Sequence, residues 1–257
     1  MKKYFIFGDS HGEFDYLMNS LNAVGYNQDN PEHFLIGLGD YFDRGNQNIQ
    51  ILEFLQQQKK KNRFWGILGN HDSMLYNFLT GKSNGIFDIL RNGLGTTLKE
   101  LAGLESVEDV ILHARFSSDY FRNSIKINHP NLLEFLKSLK DEIKLGQYNL
   151  THAGYSYNNE TGKWEIDNWA MTEEFVESYP TNPEEIYVFG HWWARLLTHK
   201  FIIQEADKDI TEIIEDDTLT DLPFRYKNFI GLDSMVNRSH FMNILVIKLD
   251  KDGYTEI

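Results

Sequence analysis

Cysteine is absent from the 257-residue chain. Its absence excludes disulfides, thiolate zinc sites and cysteine nucleophiles, so any metal must be held by oxygen and imidazole. Long apolar runs are absent as well. No stretch approaches the ~20 apolar residues of a membrane span. Tyr4-Phe5-Ile6-Phe7 stops at Gly8-Asp9, too short for the apolar region of a signal peptide. A cytoplasmic protein with no membrane partner is expected. Positive charge is also scarce: 25 Lys and Arg stand against 38 Asp and Glu, a formal net charge of −13. Such a chain has no broad basic field for a nucleic-acid backbone, which makes nucleic acid a poor candidate for its partner. The one basic run, Lys59-Lys60-Lys61, follows a Gln-rich helical stretch and reads as a solvated helix end.

Apolar material is plentiful. Apolar residues make up 41% of the chain and aromatics 14%, and a chain of this length buries roughly three quarters of the surface its unfolded form exposes. One α/β domain over residues 1–257 is expected. Three short apolar runs end alike: Tyr4 to Phe7 into Gly8-Asp9, Phe34 to Leu38 into Gly39-Asp40, and Phe64 to Leu68 into Gly69-Asn70. Short runs with apolar residues on both faces read as buried strands. Their spacing of about thirty residues is that of one strand–helix–strand unit, with helices expected from Phe14 to Val24 and from Gln47 to Lys60. Tyr148 to Thr151 and Ile186 to Phe189 are strand-like and lead to His152 and His191, while Phe229 to Leu232 and Ile244 to Leu249 read as closing strands. Between Gly81 and Gly146 the pattern turns helical, with Leu132, Leu136, Leu139 and Ile143 in one stripe. A variable, mostly helical insertion or cap is expected there, at about 81–146.

In open α/β sheets ligands gather at the carboxyl ends of the strands, which puts the three Gly-Asp/Asn pairs on one edge. Asp9, His11, Asp40, Asn70, His152 and His191 then offer three oxygen donors and three imidazoles. That is too many for one tetrahedral ion and suits two neighbouring ions that share a bridging carboxylate. Bound cations would also supply the local positive charge that an acidic protein needs to handle phosphate. His113, His129, His199 and His240 have no comparable setting and read as surface or core histidines.

Taken in order, Gly8-Asp9-Ser10-His11-Gly12, Gly39-Asp40-Tyr41-Phe42-Asp43-Arg44-Gly45, Gly69-Asn70-His71-Asp72, His152-Ala153-Gly154 and Gly190-His191 form one series. The series resembles the motifs of the calcineurin-like metallophosphoesterase superfamily, in particular its phosphoprotein-phosphatase branch. The likeness extends to Gly231-Leu232-Asp233, which is similar to a late segment of bacterial and phage serine/threonine phosphatases and of symmetrical dinucleoside tetraphosphatases. It implies a four-layer α/β/β/α sandwich and a two-metal phosphoester hydrolase. It implies Asp9 and His11 as ligands of a first metal, Asp40 as the bridge, and Asn70, His152 and His191 as ligands of a second, with a metal-bridged hydroxide as nucleophile. His71 matches the general acid, Asp43 the carboxylate that orients it, and Arg44, together with Asn70, the grip on substrate phosphate. These ligand types suit manganese, iron and zinc alike; manganese is the ion expected.

One position departs from the pattern. Members of this branch carry a second phosphate-binding arginine between the two late histidines, whereas here no arginine lies between His152 and His191, and Met171 stands at the matching place. Either Arg115, Arg122 or Arg195 replaces it, or the substrate is held differently. The expected substrate is a phosphorylated protein of the serine/threonine type or a small phosphomonoester. The alternative is a dinucleoside polyphosphate cut at a phosphoanhydride; Phe116, Tyr120 and Phe121 are then candidates to stack a base, although core packing suits them better. A catalytically silent metal-binding scaffold is a third reading, and the presence of His71, Asp43 and Arg44 speaks against it. The acidic run Glu205, Asp207, Asp209, Glu212, Glu215, Asp216 and Asp217 reads as a solvated stretch.

Overall fold

Alternation along the strands sets out the layers. In β1 (Lys2–Phe7), Phe5 and Phe7 point to one core while Tyr4 and Ile6 point to another. β1 pairs in parallel with β2 (His33–Gly37), and β2 in parallel with β3 (Phe64–Gly66). A second sheet is built around β5 (Tyr148–Thr151), β8 (Ile186–Phe189) and β10 (Phe229–Gly231), again parallel, flanked by β4 (Glu142–Leu145) and β9 (Phe224–Tyr226). β11 (Ile244–Asp250) and β12 (Gly253–Glu256) complete the first sheet, and β6 (Tyr155–Asn158) with β7 (Lys163–Ile166) makes a separate hairpin. The structure is a computed structural model that describes residues 1–203, 210–215, 220–250 and 253–257; of the acidic run, Glu205, Asp207, Asp209, Asp216 and Asp217 lie outside these residues.

Ile6, Ile36 and Leu38 meet Leu150, Val188 and Ile230 between the two sheets. On the far side of the first sheet, Phe5, Phe7, Leu35 and Phe64 are covered by α1 (Phe14–Ala23), α2 (Asn48–Lys60) and α3 (Asn70–Thr80). The same core takes in α4 (Ile86–Arg91), α5 (Leu94–Ala102), α6 (Val107–Phe116), α7 (Ser118–Asn128) and α8 (Leu132–Lys137). On the far side of the second sheet, Tyr187, Phe189, Phe224 and Phe229 pack against Phe175 of α9 (Thr172–Ser178) and Leu197 of α10 (Ala194–Thr198). The architecture is the α/β/β/α sandwich. Among the described residues no helix is long and apolar enough to cross a membrane.

The stripe from Leu132 to Ile143 is divided rather than continuous. Leu132 and Leu136 belong to α8, which ends at Lys137; Leu139 joins the same core, but Ile143 sits in β4 and packs between the sheets. Ile143 pairs with Leu150 of β5. That pairing partner is invisible to local periodicity and overrides it.

Candidate metal centre

Six parallel strand ends converge, three from each sheet. Behind β1, β2 and β3 come Asp9 and His11, Asp40, and Asn70; behind β5, β8 and β10 come His152, His191 and Asp233. Close approach dictates two of the glycines. A Cβ on Gly69 would stand 2.1 Å from Asp40 Oδ1, and one on Gly190 would stand 2.2 Å from Asp9 Oδ1. His11, Asp40, Asp43, Arg44 and His191 all take positive φ, at 41°, 53°, 75°, 67° and 64°. Such conformations cost about 1–3 kcal/mol each in a non-glycine residue and persist only where the surroundings impose them. At Asp40 the imposing group is visible: the Asp72 carboxylate accepts the main-chain N–H groups of Asp40, Tyr41 and Gly69 at 2.9, 3.1 and 2.9 Å.

Asp40 is the shared element. Its Oδ2 lies 3.8 Å from His11 Nε2 and 3.9 Å from His71 Nε2, while its Oδ1 lies 3.4 Å from His152 Nε2. Two groups of side chains able to hold an ion result, His11–Asp40–His71 and Asp40–His152–His191. Asp9 falls outside both groups. Its two oxygens accept the His191 main-chain N–H at 3.0 and 3.1 Å, tying the end of β1 to the end of β8.

The chemistry of the donors fits cations. His11 Nδ1 lies 3.0 Å from the Phe42 carbonyl and His152 Nδ1 lies 2.8 Å from the Leu38 carbonyl. A carbonyl only accepts, so both Nδ1 atoms carry the proton and both Nε2 atoms keep a lone pair, the state in which imidazole ligates metal. His152 Nε2 then lies 2.8 Å from Asn70 Oδ1, close enough for one cation to be held by both. The titration of the site agrees. Burial, reinforced by neighbouring cationic and imidazole groups, pushes His11 well down and His191 down to about 3; burial also lowers His152. Burial and repulsion from Asp233 and Asp40 raise Asp9, and burial lifts Asp233 to about 6, while Asp40, despite its burial, is held below the usual carboxylate range by the imidazoles of His152, His71 and His11.

Beside the cage stands an acid–base pair. His71 Nδ1–H donates to Asp43 Oδ2 at 2.9 Å. Asp43 is fully buried, accepts the Thr97 hydroxyl through its other oxygen, and donates its main-chain N–H to Asn48 Oδ1 and Thr97 Oγ1. Burial alone would lower the His71 pKa, but the Asp40 and Asp43 carboxylates outweigh it and the pKa is raised. Arg44 Nη2 reaches His71 Nε2 at 3.1 Å, which places a guanidinium at the mouth of the cage.

Asp72, Thr97 and Asn48 are positioning residues that motif reading leaves without a role. Asp72 was visible in the Gly69–Asp72 motif; Thr97 lies 54 positions from Asp43 and carries no local signal. The three candidate replacement arginines differ in setting. Arg195 is engaged by Asp221 through Nε at 2.9 Å and Nη2 at 3.0 Å. Arg122 is held by Asp119 and the Ser83 carbonyl and lies over Phe78. Arg115 is exposed on α6. Met171 is also exposed, just ahead of α9. Of the aromatics weighed for base stacking, Phe121 is core, stacked with His113, while Phe116 and Tyr120 are exposed.

Gly190→Ala is expected to push Asp9 off the His191 N–H and disturb both strand ends. Metal affinity and turnover should each fall about 10- to 100-fold, the usual effect of disturbing groups that orient ligands, with the far-UV circular dichroism unchanged. Equal metal affinity in both proteins would show that Asp9 does not need its position.

Residues 2–210 match the family model of the calcineurin-like phosphoesterases. A bis(5'-nucleosyl)-tetraphosphatase PrpE [asymmetrical] of Bacillus cereus strain B4264 is 32% identical over 217 residues, covering 80% of this chain and 85% of the relative. A protein of the same name from Halalkalibacterium halodurans is 26% identical, covering 73% and 74%. Among solved structures, a cold-active protein-tyrosine phosphatase of a Shewanella species superposes with a TM-score of 0.51 at 14% identity, over 100% of this chain and 77% of that one. At that identity the likeness speaks for the fold alone.

Proposed function

The chain belongs to the calcineurin-like phosphoesterase family, a metal-dependent phosphatase family, and from that premise we propose that it is a two-metal hydrolase whose substrate is a dinucleoside polyphosphate. The observation that carries the metal assignment is the facing of His152 Nε2 and Asn70 Oδ1 beside the shared Asp40. Asp9 and His11 would hold one ion and Asn70, His152 and His191 the other, with Asp40 offered to both. What bound ions supply is a lowered pKa for water and a clamp on phosphoryl oxygens; manganese is the ion to test first. The residues do the rest. Arg44, once turned from His71 to a phosphate, offers a planar fork to two of its oxygens. Its departure frees His71 Nε2 to carry a proton toward the leaving oxygen, and Asp43 keeps the ring aligned and basic.

Support for the substrate comes from the relatives, which are named for tetraphosphatase activity of the asymmetrical kind and match over most of their length. The absence of an arginine between His152 and His191 sets the chain apart from the branch whose second arginine grips phosphate. Phosphomonoester hydrolysis, on a phosphoprotein or a small molecule, would use the same residues. A panel decides between them: p-nitrophenyl phosphate, a phosphoserine peptide and diadenosine tetraphosphate, each with manganese, the nucleotide products separated by chromatography. Diadenosine tetraphosphate is expected to have the highest kcat/KM and to give unequal products. Efficient turnover of the peptide with the dinucleotide untouched would replace this substrate with the phosphomonoester.

A further inference from the structure

Immediately after His191 the chain reads Trp192-Trp193, and both indoles line one cleft of about 320 Å³ together with Arg44, His191 and Leu196. The cleft therefore starts at the proposed phosphate grip and ends on two tryptophans. The two rings are anchored differently. Trp192 is half-buried against the outer core of the second sheet. Trp193 is also half-buried but belongs to none of the three cores. In that outer core Phe175, Phe189, Phe201, Phe224 and Phe229 all pack ring against ring. Among the described residues neither tryptophan ring has such a partner, and neither indole N–H has an acceptor. A buried indole N–H usually finds a partner; these two are half-buried and left available to a ligand. Trp193 caps the amino end of α10, and the Ala194 N–H is held by the Asp233 carbonyl. The main chain of Trp193 is thus fixed beside the cage, and its side chain stays partly open to solvent.

We propose that Trp192 and Trp193 form the seat for a nucleobase, with Trp193 as the stacking face and Trp192 as the wall, for a nucleotide whose own phosphate is gripped by Arg44. A flat apolar face next to a guanidinium is the pairing that nucleotides use: the ring stacks, the phosphate pairs with arginine, and every base has a π-face to offer. The volume is at the lower end of the ~300–1,000 Å³ of small-molecule sites, which suits one nucleoside. A nucleoside seated there brings to the cage the phosphate it carries itself, which would direct cleavage beside that nucleoside and give unequal products. The inference rests on the dinucleotide reading above, and its test can fail separately.

Manganese-loaded protein is titrated with AMP and with ribose 5-phosphate, which keeps the phosphate and lacks the ring, following tryptophan fluorescence and, independently, heat. AMP is expected to bind at least about tenfold more tightly than ribose 5-phosphate, the order of one base–aromatic stack. In Trp193→Ala that preference should fall toward one, and Trp193→Phe, which restores a ring, should recover most of it. Equal affinities in the wild-type protein, or a preference unchanged in Trp193→Ala, would overturn the seat even if diadenosine tetraphosphate is a good substrate. A ring-dependent preference in a protein that ignores diadenosine tetraphosphate would uphold the seat and count against the dinucleotide.

Discussion

Asp40→Asn is expected to lower turnover about a thousandfold and to strip the protein of most of its metal. The size follows from the several kcal/mol of charge stabilisation that metal ions supply to a phosphoryl transition state, at about 1.4 kcal/mol per decade of rate. Asparagine keeps the shape of the side chain and one oxygen to accept the His71 main-chain N–H, which Asp40 Oδ1 now accepts at 2.9 Å. Local geometry should therefore survive, since Asp72 still holds the Asp40 N–H. What is lost is the charge shared by the two groups of ligands. A second consequence concerns stability: the gain in thermal stability on adding manganese should disappear in the variant. An unchanged gain, with metal content intact, would mean that Asp40 is a structural residue.

His71→Ala should reduce kcat by about 10²–10⁴ for substrates with a poor leaving group, the range of general acid catalysis, and much less for p-nitrophenyl phosphate or a phosphoanhydride, whose leaving groups need little protonation. Metal content should change less than in Asp40→Asn. An equal loss on all substrates would instead favour a ligand role for His71, which its Nε2 position 3.9 Å from Asp40 Oδ2 makes a real competitor. The pH profile separates the two. Asp43 raises the His71 pKa and so keeps the ring protonated to higher pH. In Asp43→Asn that support is gone, the folded-state pKa falls, and the acidic form is lost earlier as pH rises. The alkaline limb of kcat should move to lower pH for a substrate with a poor leaving group and stay in place for p-nitrophenyl phosphate.

Much of this arrangement is legible in the sequence because it follows from strand ends. β1, β2 and β8 are short and apolar on both faces, β5 is a short strand-like run, and each leads into a small residue or directly into a ligand, so the strand ends place Asp9, Asp40, His152 and His191 on one edge. The parts that escape sequence reading are defined by partners far along the chain. β4 and β9 are edge strands with one apolar neighbour each, and β12 exists because β11 pairs with it. Thr97 and Asn48 matter because Asp43 is buried between them. Asp72 is visible as a residue but not as a clamp on three main-chain N–H groups. The tryptophans after His191 carry no signal until a cleft shows them beside Arg44.

Metal stoichiometry read against turnover tests the two-ion cage most directly. Protein stripped with chelator is titrated with manganese while bound ions per chain and hydrolysis of diadenosine tetraphosphate or p-nitrophenyl phosphate are followed together. The stripped protein should be inactive, and full turnover should return only as the second ion binds. Turnover that persists in the stripped protein, or that saturates at one ion per chain, would contradict a cage in which Asp40 is shared by two metals.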